Sequence, residues 1–120
     1  MTFKEIATMI SSIGLPYAYY EFPEANAVTG PPFVCFYYPH DNDFKADSTN
    51  YQKIEHLVVE LYTDEKDFAK EAAVEGVLAS NGMVWSRSET PIDSEQMHLT
   101  VYEMDVVITE ETSTEELNNG

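Results

Sequence analysis

FVCFYY, Phe33 to Tyr38, places six apolar or aromatic residues in a row. Successive side chains of a strand point to opposite faces, so this run presents bulk on both. A strand of that kind needs cover on two sides, with a core on one and another subunit as the expected cover on the other. PEANAVTGPP precedes it as a loop, where Pro31 and Pro32 remove two ladder donors. HDNDFKADSTNY, His40 to Tyr51, follows it. The run is too short to be a helix of its own, so it requires further strands beside it.

Those strands are readable. YAYYEF, Tyr17 to Phe22, is rich in strand formers. IEHLVVELYT alternates, with Leu57, Val59 and Leu61 pointing one way and His56, Val58, Glu60 and Tyr62 the other. MVWSRSE reads as a strand and TPIDSEQ as a turn or short helical segment. In MHLTVYEMDVVI the apolar face changes from Met97, Leu99 and Val101 to Tyr102, Met104, Val106 and Ile108, which predicts a bulge near Val101 and Tyr102.

Two helices complete the pattern. Phe3, Ile6, Ile10 and Ile13 form one apolar stripe, with Thr2 and Glu5 spaced as a capping box and Gly14 and Pro16 at the stop. In DEKDFAKEAAVEGVLASNG, Asp64 is the expected cap, Asp67 adds negative charge to the first turn, and Gly82 suits the end. Phe68, Ala72, Val74, Val77 and Leu78 make its expected apolar face. The order α-β-β-β-α-β-β predicts an α+β domain over residues 1–108, two helices packed on a mostly antiparallel sheet of four to five strands. From residue 109 the chain is polar and acidic without period, which predicts a disordered tail over 109–120.

Charge excludes several functions. Against 22 acidic residues stand 6 basic ones, a net −16. A protein that neutralises phosphates needs a Lys/Arg surface, so ordinary nucleic-acid binding is excluded, and anionic membranes are disfavoured for the same reason. Stacking of single strands on the aromatic run Tyr17 to Tyr38 would need interleaved cations, and residues 5–44 contain none. Core packing plus a protein interface fits those rings better. MTFKEIATMI has no basic region before an apolar core, so no signal peptide is expected. The single cysteine, Cys35, allows no intrachain disulfide and reads as a buried small hydrophobe in a reducing compartment.

The candidates for chemistry are thin. Asp41, Asp43 and Asp47 invite a calcium loop, but from Asp41 the fifth, sixth and twelfth positions are Lys45, Ala46 and Gln52, where oxygen, Gly and acid are required. His40, His56 and His98 lack zinc-like spacing, although His56 and His98 lie on strands and could be sheet neighbours. Carboxylate pairs such as Asp93/Glu95 carry little information in so acidic a chain, and the glycines form no phosphate loop. No catalytic residue, metal ligand or cofactor is expected.

FKADSTNY, then VVELYTDEKDFAKEAAVEGVL, then IDSEQMHLTVYEMDV, together with YYEFPE and PPFVCFYY, give a pattern over residues 1–108. It resembles the small tail-terminator or tail-completion (head–tail joining) proteins of long-tailed phages and prophages of Gram-positive bacteria. The resemblance implies a non-enzymatic α+β subunit of a ring, typically six-fold, in the virion tail, assembled in the host cytoplasm. The ring would cap the tube of major tail protein and meet the head–tail connector protein, with DNA passing through unbound. Head-completion proteins of the same module are of similar size and build. Two other readings rest on different features: a DNA mimic, on charge; and an enzyme built on the His40–Asp47 loop, which would need a pocket with convergent His and carboxylates. For the subunit or partner interface the expected residues are Phe44, Tyr51, Phe36 and Tyr38, with HDNDFKADSTNY as a long connector that projects from the sheet and Phe44 as its anchor.

Overall fold

A computed structural model of the chain describes residues 1–20, 30–41, 44–46 and 50–109, with backbone alone for 44–46 and 50–52. Its first element is helix α1, Phe3–Ser11. The capping box forms: the Thr2 hydroxyl accepts from the Glu5 amide at 3.0 Å, and the Glu5 carboxylate accepts from the Thr2 amide at 2.8 Å. Ile6, Met9 and Ile10 are buried, Ile13 is half-buried, and Phe3 lies at the margin of the expected stripe. Gly14, at φ +89, makes the left-handed step that turns the chain out of the helix.

The sheet runs β1 (Tyr17–Tyr19), β2 (Phe33–Asp41), β4 (Asn50–Thr63), β6 (Met97–Ile108), β5 (Ser86–Ile92), with β3 (Phe44–Ala46) paired to β4 off that path. Every pairing is antiparallel except β1 with β2. Helix α2, Phe68–Ser80, carries the chain from β4 to the outer strand β5, and β6 returns between them. The architecture is thus the expected α+β layer pair, with one additional short strand.

One sheet face meets the helices. Val34 and Phe36 of β2, Leu57, Val59 and Leu61 of β4, and Tyr102, Met104, Val106 and Ile108 of β6 close over Ile6, Met9 and Ile10 of α1 and Val74 and Leu78 of α2. No helix among the described residues is long and apolar enough to cross a membrane.

Four expectations are corrected. β6 has no bulge at Val101 and Tyr102: its register with β4 runs unbroken from Lys53↔Ile108 to Thr63↔His98. The apparent switch arises because Thr100, a polar residue, occupies a fully buried core position in phase with Tyr102. The irregularity falls on β2, between Tyr37 and His40. Asp67, not Asp64, caps α2, its carboxylate accepting from the Lys70 amide at 3.0 Å. Phe68 and Ala72 are exposed, the former at 75%, and Glu71 takes the core-facing place, 2% exposed. Finally, HDNDFKADSTNY is not simply a connector: Phe44↔Gln52, Lys45↔Tyr51 and Ala46↔Asn50 pair as a short antiparallel ladder that prolongs β4. The acidic tail, 110–120, lies outside the described residues, as do Asp43 and Asp47 of the calcium reading.

Candidate functional site

Three places gather polar or aromatic side chains. The first lies under α2. Glu71 enters the core because two cations follow it in: Lys66 Nζ at 2.9 Å and Arg87 Nη1 at 2.8 Å. Lys66 also reaches Glu89 at 2.8 Å, Arg87 reaches Glu75 at 3.3 Å and Glu89 at 3.4 Å, and His98 Nε2 meets Glu89 at 3.0 Å. The Tyr102 hydroxyl donates to Glu75 at 2.9 Å. Hydrogen bonding from Lys66 draws the Glu89 carboxyl below its ordinary range, and Glu89 and then Glu71 hold the Lys66 ammonium above its own. Glu71, Glu89 and His98 stand close enough to ligate one ion. The Lys66 ammonium bonded to both carboxylates already supplies the positive charge there, so the cluster reads as a latch between α2 and the sheet.

The second place is the sheet face opposite the helices. Register puts Phe33, Cys35 and Tyr37 of β2, Ile54, His56, Val58, Glu60 and Tyr62 of β4, and Leu99, Val101, Glu103, Asp105 and Val107 of β6 on it. Its side chains cover one another. Phe33 stacks on Tyr62 with centroids 4.7 Å apart, and Tyr20, at φ +69, stacks on Tyr37 at 5.6 Å. Glu60 accepts from both phenols, Tyr37 at 3.1 Å and Tyr62 at 3.0 Å. Burial of the rings, and then the Glu60 charge, raise the pKa of both tyrosines. His56 stacks on His40 at 4.6 Å and sits between Glu103 at 2.9 Å and Asp105 at 3.0 Å. Those bonds, Glu103 first, raise its pKa. None of the Lys or Arg side chains among the described residues lies on this face, which carries aromatic and aliphatic side chains around the Glu60 carboxylate and the acids Glu103 and Asp105 on β6.

The third place is a cavity of about 550 Å³ on the helix side, lined among the described residues by Phe3, Ala7, Tyr19, Phe36, Tyr38 and Glu55. Phe3 meets Tyr38 edge-on at 5.2 Å, and Tyr19 meets Phe36 edge-on at 5.4 Å. The Tyr38 hydroxyl is buried with no hydrogen-bond partner among the described residues.

The expected interface residues are divided by this arrangement. Phe36 and Tyr38 come together in the cavity wall, with Phe36 also belonging to the core at 5% exposure. The side chains of Phe44 and Tyr51 lie outside what is described. His56 and His98 are not neighbours: His56 on β4 pairs with Asp105, whereas His98 on β6 pairs with Thr63, seven residues further along β4 and on the other face. Sequence reasoning missed Glu71, Lys66, Arg87 and Glu89. Their only signal is an acid at helical spacing from Val74 and Leu78, since 71, 74 and 78 share one helix face.

No family model matches the chain, and no curated protein matches it. Among solved structures, the fold is similar to that of a chain of the virion of a native gene transfer agent particle, with a TM-score of 0.59 and 14% identity over 88% of this chain and 87% of that one.

Proposed function

We propose that the chain is a structural, non-enzymatic subunit of a phage-type virion, acting as a tail terminator or tail-completion protein. Copies form a ring, six-fold by the family resemblance, that caps the tail tube and joins it to the head connector. The observation that carries this reading is the likeness of fold to a gene-transfer-agent virion chain, which extends over nearly all of both chains. Two features support it. The sheet face opposite the helices carries aromatic and aliphatic side chains around Glu60 and no Lys or Arg side chain among the described residues, as an assembly surface would. The net charge of −16 suits a lumen through which DNA slides, because carboxylates repel phosphates at close range. At physiological salt that repulsion extends only about 8 Å, so it acts at the lumen wall and leaves apolar contact to hold the ring.

Particles assembled without the chain test the reading. Tails of uncontrolled length are the expected result. Tails of normal length joined to heads would sink the proposal; tails of normal length left without heads would move the chain to the head-completion position. Electron microscopy of the concentrated protein gives a second check, with rings expected.

A further inference from the structure

We propose that the cavity between α1 and the β1–β2–β4 end of the sheet is a receptor for an arginine side chain of a protein partner. The inference does not depend on the virion reading.

Four aromatic rings, Phe3, Tyr19, Phe36 and Tyr38, line the cavity, and Glu55 brings a carboxylate to the same wall. A planar guanidinium stacks on aromatic faces and bonds carboxylate in the same plane, a combination that an ammonium or a neutral side chain does not match. The Glu55 side chain is 13% exposed, and Lys53 engages its Oε1 at 3.2 Å, which leaves Oε2 unused by that pair. Asp41 stands directly opposite Glu55 in the β2–β4 ladder. Two like charges facing each other across strands are unfavourable, so a further cation is welcome at this rim.

The Tyr38 hydroxyl is the second observation. It is buried beside the cavity and satisfied by nothing among the described residues, although buried phenols ordinarily find a partner. A guanidinium N–H reaching in donates to its oxygen. Burial first, then Tyr19 and last the Glu55 charge, raise the Tyr38 phenol's pKa, so the hydroxyl stays neutral and able to accept. A chain of net charge −16 also draws basic partners by long-range attraction.

The test uses the full chain and two short peptides, acetyl-Gly-Arg-Gly-amide and its citrulline counterpart, which has the same shape without the charge. NMR titration should shift the resonances of Ala7, Tyr19 and Tyr38 with the arginine peptide and leave them still with the citrulline peptide. Glu55→Gln should weaken binding about tenfold, the scale of one charge-assisted hydrogen bond. Tyr38→Phe should weaken it by a smaller factor. Both variants are checked for unchanged amide spectra outside the cavity. Equal shifts with the citrulline peptide, shifts scattered over the acidic surface, or full affinity in Glu55→Gln would each overturn the proposal.

Discussion

Glu71 is a carboxylate at the point where α2 turns toward the sheet, and its burial is tolerable only because Lys66 and Arg87 bring charge of the opposite sign to 2.9 and 2.8 Å. Both cations keep other partners, Glu89 and Glu75, so losing Glu71 strands a packing position and the Thr100 hydroxyl rather than a bare charge. Glu71→Ala should therefore cost about 1–3 kcal/mol in denaturant unfolding. A loss below about 0.5 kcal/mol, the usual range of surface substitutions, would show that the latch holds nothing. His56 is a second residue with a checkable consequence. Glu103 and Asp105 raise its pKa above the ordinary 6.5, so its charged form is favoured in the folded state. That contribution is complete below the unfolded pKa and is lost as pH rises through the folded one. Stability of the native chain relative to His56→Asn should accordingly fall as pH increases from about 6.5 upward, the ordinary His value. A pH-independent difference between the two would remove the assigned role of the carboxylates.

The helices show how caps decide boundaries. α2 begins after Asp67 because its carboxylate accepts from the Lys70 amide, whereas Asp64 lies before the first turn. Asp67→Ala should cost about 1 kcal/mol of stability, while Asp64→Ala should change it by a few tenths at most. Equal losses at the two positions would contradict the observed cap. α1 behaved as its sequence reads, since the capping box at Thr2 and Glu5 and the Ile6/Ile10 spacing are local properties of the chain. β4 is longer than its alternating core IEHLVVELYT, because pairing with β3 extends it back to Asn50. Nothing local announces that, as polar residues such as Asn50, Gln52 and Lys53 carry no alternating apolar pattern.

At the scale of the molecule, one sheet face carries helices and the other carries none among the described residues. The second face has apolar groups ready for contact and net negative charge that opposes it. If copies meet through it, assembly should strengthen with salt over about 0.05–0.5 M, as screening shortens the repulsion. Sedimentation velocity reads this directly, and weaker association at high salt would indicate that ion pairs hold the copies together. Val101, half-buried on this face opposite Glu60, is the matching substitution. Val101→Glu should depress the oligomer population while leaving Tm within about 5 °C. A collapsed Tm would show that the face stabilises the single subunit instead.

Local chemistry settled the number and type of the main elements here. Alternation in β4 and β6, a 3.6-residue stripe in α1, and turn residues such as Gly14 and Gly82 act over a few residues, and each was legible as written. The two-faced character of FVCFYY was legible too: Val34 and Phe36 enter the core while Phe33, Cys35 and Tyr37 fall on the opposite face. Tertiary packing decided the rest, because charge and polarity at one position are judged against partners far along the chain. Glu71 became a core residue through Arg87, sixteen positions away, and Thr100 became one through Glu71. The cavity of Phe3, Tyr19, Phe36, Tyr38 and Glu55 exists only because α1, β1, β2 and β4 converge, and no stretch of sequence contains it.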